Sequence, residues 1–431
     1  MATMESWTPD TTLESESLSI SLASVLCGFS ILALGFAVQI ANGFFQRKAL
    51  AGILIATALS ALAVASPQIA VMVPFHGRSL VSRIYLLISV AYLLFGVVLL
   101  HRSHPPIDVL VYENDGVQAL IHGHDPYAFN VTHQDNSGPS EIVYYGPGVS
   151  VNGRIHVGVP YPPLTLLWIL PGYLAGDVRY SFLLAVWLTS CLIFYLSPDV
   201  KGLTAAVLLL FVPDTFFLLK MGWTEPLMLV TLAITMVAAC RAPRMLPLAL
   251  GLFFASKQYS LLAVPLCVLL LPKPSWQKYW LLLAKAGGVA AILTLPMAFW
   301  DFRGFWWSLV TFQIVAPFRS DALSVSTLLV KFGFSPIPQW FVLAAVLAAI
   351  VFALIRSPRT PSGFAASLAL ISLIFFELNK QAFCNYYFFS AGALCLAIAS
   401  ASLNSKVAVF TVARVPIETA GRKPVDIPSA Q

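Results

Sequence analysis

Asp108, Tyr112 and Asp115 stand at i, i+4 and i+7 in the stretch IDVLVYENDGVQALIHGHDPY. On a helix those intervals bring all three to one face. Carboxylates near the N-terminal end of a helix sit on the favourable side of its dipole, and one facing water can act as a general base toward an attacking hydroxyl. Asp108 is the first candidate base. Asp115 is its alternate, about 10 Å further along the axis at about 1.5 Å of rise per residue. The plain reading of both is solvated charge at a helix start. The punctuation predicts the helix itself: Pro105-Pro106 can open it, and Gly123 with Asp125-Pro126 stops it.

The rest of the chain has to position this stretch. Its 431 residues are 58% hydrophobic and 10% charged, with a mean hydropathy of +0.83. Soluble domains carry about 45–50% apolar residues, so the chain is expected to be an all-α polytopic membrane protein. Roughly 20 apolar residues of helix cross a bilayer, and only helices satisfy their own backbone there. Apolar runs near 19–42, 49–74 and 81–100 give three spans within residues 1–100. Runs near 163–176, 181–197, 202–219, 225–240, 245–271, 279–299, 338–355, 364–378 and 384–403 give about nine more within 163–403, for about 12 transmembrane helices in all. Residues 404–431 read as a disordered cytoplasmic tail.

Between the two sets lies the loop 101–162, with six of the seven histidines and six of the nineteen acidic residues. Chemistry is expected there, in water at the membrane surface. Alternation around Asn152-Gly153 predicts a small β-hairpin at about 148–157. Lys273, Lys278, Arg356, Arg359, Lys406, Arg414, Arg422 and Lys423 mark the cytoplasmic side, which puts the loop outside; Arg47 and Lys48 argue the opposite. Residues 1–18 lack Lys and Arg and precede a long apolar run, so the first helix is expected to stay in the mature protein. The net charge of +6 is spread through loops, which suits membrane lipids and not nucleic acid.

Lys257 is the strongest anion-binding candidate on physical grounds. It lies near the middle of the 245–271 run, where a lysine costs about 2.5–3.5 kcal/mol on insertion scales. Ser256, Gln258, Tyr259 and Ser260 beside it suggest a wet cavity or a break. The alternative is a structural pair with Glu225 or Glu377. Residues 301–321, charged at both ends and rich in aromatics, read as an interfacial segment with Trp306 and Trp307 in the headgroup belt. Arg319 there, and Lys380 with Tyr386–Tyr387 near the last span, can meet a phosphate or a sugar, or simply anchor the interface. His104, His122, His124, His133, Asp125 and Asp135 lack a regular metal-ligand spacing, so no metal and no cofactor are expected. Cys27, Cys191, Cys240, Cys267, Cys384 and Cys395 suggest neither a zinc site nor a disulfide framework. Asn130-Val131-Thr132 matches a glycosylation acceptor pattern.

The 108–127 run, followed by Tyr161-Pro162-Pro163 opening the next helix, resembles the first external loop of GT-C glycosyltransferases. Within them it is most similar to the polyprenyl-phosphate-dependent mannosyltransferases that include actinobacterial phosphatidylinositol mannosyltransferases. The match covers about 60 residues, with weaker echoes at Gly222–Pro226, Lys257, Pro317–Ser324 and Asn379–Tyr387. The resemblance implies an inner-membrane enzyme that moves a sugar, mannose above all, from a polyprenyl-phosphate donor to a lipid or glycan acceptor. Asp108, with Val111 and Tyr112, takes the place of the family's general base, and Gly123, Asp125, Pro126 and Tyr127 that of its following turn. Tyr112, Tyr127, Tyr161, Glu225, Lys257, Arg319, Lys380 and Tyr386 are the expected substrate contacts. The Asp108–Asp115 separation exceeds the roughly 5 Å of a retaining carboxylate pair and favours inversion. Two helices precede the family's usual first one, and Gly222-Trp223-Thr224-Glu225-Pro226 stands where a Gly-Gln is expected. A twelve-helix transporter or lipid-glycan flippase, or a non-catalytic membrane subunit, are the competing readings.

Overall fold

The computed structural model describes residues 78–101, 105, 107–128, 131–132, 145, 149–151, 154–212, 215–271 and 273–412. The runs 19–42 and 49–74, Cys27, Asn130, His104, His133 and Asp135 lie outside them.

The described chain is a helical bundle with a polar cap at one end. Helix α1 (Arg78–His101) is followed by α2 (Asp108–Ile121) and by three two-residue strands, β1 (Val131–Thr132), β2 (Ser150–Val151) and β3 (Arg154–Ile155). Then come α3 (Pro163–Leu174), α4 (Arg179–Leu196), α5 (Val200–Leu210), α6 (Thr215–Met221), α7 (Glu225–Arg241) and α8 (Leu246–Phe254). After two 3₁₀ stretches the chain continues with α9 (Trp276–Trp300), α10 (Phe302–Trp306), α11 (Phe312–Val315), α12 (Val325–Lys331), α13 (Gln339–Arg356), α14 (Pro361–Leu378) and α15 (Cys384–Val412).

Among the described residues six helices are long and apolar enough to cross a membrane, or seven if α5 and α6, bent by 44°, form one broken span. The expected runs at 163–176 and 225–240 form helices of 12 and 17 residues, the first too short to cross alone. The run at 245–271 is a correction. It is not one helix: α8 ends at Phe254, Lys257 is extended at φ −160° and ψ 152°, and 3₁₀ turns cover Gln258–Ala263 and Pro265–Leu270. The polar cluster Ser256–Ser260 unwinds the helix, and its hydroxyls take up the freed carbonyls. Ser256 donates to the Phe253 carbonyl at 2.6 Å and Ser260 to that of Lys257 at 2.6 Å, which is how non-helical backbone is tolerated at such depth.

Helix α7 is buried almost all round, while α1, α9 and α13 turn Leu87, Leu94, Ile292, Phe299, Leu343 and Ile355 outward. Apolar exposure on that scale suits lipid and not water. Gly392 lets α15 approach α7, since a Cβ there would strike Leu229. Buried Arg179 pairs with Asp177 at 2.6 Å and donates to the last carbonyls of α1 and α6, Leu100 at 3.1 Å and Lys220 at 3.2 Å. Helix α15 runs on to Val412, past the expected boundary at 403.

The cap is tied together across the sequence. Strand β3 pairs antiparallel with β2, Val151 opposite Arg154, in the region where alternation places a hairpin; β1 adds an unforeseen third strand, Val131 opposite Ile155. Tyr112, Tyr145, Val149, Ile155 and Val157 form a small core of their own, closed by Trp307 and Phe312. Trp306 is exposed, as a belt residue should be. Trp307 is half-buried instead and donates to the His156 carbonyl at 2.9 Å. A π-helical turn at Trp307–Thr311 also lets Ser308 accept from the Gly158 amide at 3.1 Å.

Candidate active site

Asp108 opens α2 after an extended Ile107. Its Oδ1 accepts from the Val109 amide at 2.8 Å, and its Oδ2 accepts from the Tyr145 hydroxyl at 2.6 Å. Burial, then the Asp108 charge beside it, raises the Tyr145 phenol well above its usual range, so this donor keeps its proton. The carboxylate is half-buried and aimed by a helix start on one side and a phenol on the other. Tyr145 was not singled out in the sequence; the signal was the Tyr144-Tyr145-Gly146-Pro147 run in an otherwise polar loop.

The expected helix face is only partly right. The buried stripe of α2 is Val109, Tyr112, Glu113, Gly116 and Val117, the i, i+3, i+4, i+7, i+8 pattern of a core-facing helix. Asp115 lies off it, half-buried, its carboxyl raised by burial. It makes no side-chain hydrogen bond to a described residue. Tyr112 packs in the small core with its hydroxyl unpartnered among the described residues.

Glu113, on the buried stripe, is the larger omission. It has no solvent exposure, and neither carboxylate oxygen has a hydrogen-bond partner among the described residues. Burial raises its carboxyl well above the usual range, with Lys257 pulling the other way and Glu225 and Asp177 adding to the rise. The turn facing it requires glycine. Gly222 has φ +71°, and a Cβ there would strike Leu110 and come within 3.3 Å of Glu113 Oε2.

Lys257 lies in the break after α8, 7% exposed. Its Nζ donates to Thr224 Oγ1 at 2.6 Å and pairs with Glu225 Oε1. Three rings surround it, Tyr161 and Tyr259 at 5.4 Å and Tyr386 at 5.7 Å from Nζ to centroid, within the range of cation–π attraction. Tyr259 also donates to Glu225 Oε1 at 2.9 Å. The structure therefore gathers Tyr161, Glu225, Lys257 and Tyr386 into one cluster and chooses Glu225, not Glu377, as the lysine's partner. Tyr161 links this cluster to Asp108: its electrostatic neighbours are Glu113, Asp108, Glu225 and Tyr386.

Arg319 and Lys380 belong to the rim. Arg319 makes two hydrogen bonds to Asp321, each 2.7 Å, lies 5.2 Å above the Phe383 ring, and is an electrostatic neighbour of Tyr145. Lys380 donates to the carbonyls of Ile314 at 2.8 Å and Ala316 at 2.5 Å, closing the end of α11; burial lowers its ammonium. Tyr127 supports the loop. Its hydroxyl donates to the Tyr161 carbonyl at 2.9 Å, its amide to Asp125 Oδ1 at 2.9 Å, and its ring meets Phe305 edge-on at 5.0 Å. Beside it a cavity of about 670 Å³ lies between His156 and the aromatic segment carrying Phe302, Arg303, Trp306 and Trp307. That volume is ordinary for a small-molecule site.

No family model matches the sequence. No curated protein matches it either. A crystal structure of ArnT from Cupriavidus metallidurans bound to undecaprenyl phosphate is similar at 14% identity, over 77% of this chain and 63% of that one, with a TM-score of 0.49. The chain thus spans less than two thirds of that protein's length. A superposition of that quality carries no weight for the site, whose chemistry has to come from its own residues.

Proposed function

We propose that this protein is an integral-membrane glycosyltransferase that moves a sugar, mannose first among candidates, from a polyprenyl-phosphate carrier to a hydroxyl of a lipid or glycan. The acceptor oxygen attacks the anomeric carbon, the bond from that carbon to the phosphate oxygen breaks, and Asp108 takes the acceptor proton. Attack from the side opposite the leaving phosphate inverts the anomeric centre.

One observation carries the reading: a half-buried carboxylate, aimed by Tyr145 and a helix start, shares its surroundings with cations fit for a phosphate. A base for the acceptor and positive charge for the leaving group are the two things this chemistry needs. Arg319, partly exposed at the rim, suits first contact with the phosphate, and Lys257 within its tyrosine cage a deeper one. The 670 Å³ cavity, walled by Phe302 and Trp306, suits the start of a lipid chain or the acceptor. The loop motif around Asp108 supports the donor class, and the Lys and Arg of the second half of the chain support an external site.

Purified protein in detergent, given radiolabelled polyprenyl-phosphate mannose and a crude lipid extract, tests the proposal. Labelled product is expected from the wild type and not from Asp108→Asn at equal protein level. Product from both overturns the role of Asp108. Solute or lipid movement in proteoliposomes without any transfer overturns the reaction and favours a transporter.

A further inference from the structure

Around Asp108, the cations described above are already engaged. Lys257 pairs with Glu225, Arg319 with Asp321, and Lys380 with two carbonyls. The two ion pairs differ in what stays behind when the cation turns to an incoming anion. The Asp321 side chain is 50% exposed and can be hydrated at once. Glu225 is fully buried; its Oε1 already accepts from Lys257 and Tyr259, and its Oε2 has no partner among the described residues. A lone ionised carboxylate is not held in such a place; it takes a proton instead.

Glu113 lies beside this pair in the same condition, fully buried with both oxygens unpartnered among the described residues. The charged groups facing it are Lys257, Glu225, Asp177 and Arg179, and the last two are closed on each other. The groups around Glu225 are Lys257, Glu113, Thr224 and the phenols of Tyr161, Tyr259 and Tyr386. One buried cation therefore faces two buried acids, of which it can balance one. The other, Glu113, is the neutral acid.

We infer that an anion binds at Lys257 only together with a proton: the lysine leaves Glu225 for the anion, and Glu225 takes one proton from water while Glu113 stays neutral. Before binding, the cluster is one ammonium, one carboxylate and one carboxylic acid. Afterwards it is one ammonium with one external negative charge and two carboxylic acids, so charge and protons balance. The ligand class that fits is a singly charged phosphodiester. A doubly charged phosphomonoester or a diphosphate brings a negative charge that nothing in the cluster meets. The inference rests on the donor proposed above, which is itself a singly charged phosphodiester.

Calorimetric titration of the full chain in detergent with short-chain polyprenyl-phosphate mannose, at pH 7 in buffers of different ionisation enthalpy, counts the protons. Uptake of about one proton per ligand is expected, with affinity falling about tenfold per pH unit while that uptake holds. Glu225→Gln combined with Glu113→Gln, which leaves the lysine no carboxyl to balance, should bind more tightly with no proton uptake and no pH dependence. Asp108→Asn, inactive under the proposed mechanism, should still take up the proton. Zero uptake by the wild type, or uptake unchanged in the double variant, overturns the inference. A folded protein that does not bind this phosphodiester strikes the donor, and infrared spectra of the ligand-free protein then decide separately. At neutral pH a carbonyl band of a protonated carboxyl group should be present in the wild type and lost in Glu113→Gln. A spectrum that Glu113→Gln leaves unchanged overturns the assignment.

Discussion

Two ion pairs serve the same end of the bundle, and their surroundings give them opposite characters. Lys257–Glu225 sits in a broken helix, roofed by three tyrosine rings, with side chains 8% and 0% exposed. Arg319–Asp321 lies on the rim with side chains 22% and 50% exposed. Water screens the outer pair and can replace either partner. It barely touches the inner one, where breaking the pair leaves a buried carboxylate that has to take a proton. The lesson is that the inner pair is a commitment of the fold that a ligand must displace, whereas the outer pair is free to exchange.

The largest difference should appear in stability. Lys257→Ala leaves Glu225 buried and unpaired and is expected to cost about 3–5 kcal/mol, read as thermal unfolding in detergent. Replacing both partners, Lys257→Met with Glu225→Gln, should recover most of that loss; a double variant as damaged as the single one breaks the comparison. Gly222→Ala attacks the same side through the backbone, forcing a side chain into φ +71° against Leu110. A cost of about 1–3 kcal/mol is expected, again by thermal unfolding, and an unchanged midpoint contradicts it. On the water side of the cluster, Tyr145→Phe removes one hydrogen bond to Asp108. That is worth about 1–1.5 kcal/mol, or roughly tenfold in transfer rate, with little change in melting.

The outer pair should matter least to stability. Arg319→Ala is expected to change it by under about 1 kcal/mol, and less at high salt. Burial alone would raise Asp321, but its hydrogen bonds and charge contact with Arg319 outweigh that and hold its carboxyl below the usual range. The pair's small contribution is therefore present above the ordinary aspartate value of about 3.9 and is lost as pH falls through the lowered one. An acid titration of Arg319→Ala against the wild type reads it, and a difference that grows with pH above neutrality runs against the account.

Much of this was legible in the residues. Pro105-Pro106 and Gly123 bracket α2 because proline and glycine act locally, and the long apolar runs among the described residues, 245–271 excepted, form helices because a bilayer leaves little alternative. Lys257 stood out because a lysine deep in an apolar run has to be explained, and both a partner and a break were foreseeable; that the break would end the helix at Phe254 was not. What escaped was settled by tertiary packing. Reading Asp108, Tyr112 and Asp115 as one face drew attention away from Glu113, although Val109, Tyr112, Gly116 and Val117 already form an apolar stripe with that glutamate inside it. Tyr145 meets Asp108 across a sequence separation of 37, and no periodicity predicts such a meeting. Trp307 looked like its neighbour Trp306, yet in the fold it is half-buried and bonded to the His156 carbonyl.

The central claim is that Asp108 does chemistry and does not merely shape the loop. Single-turnover transfer from pre-bound polyprenyl-phosphate mannose separates the two. Asp108→Asn should bind the donor with unchanged affinity and transfer the sugar about 10²–10⁴-fold more slowly. A variant that transfers at the wild-type rate would contradict the account.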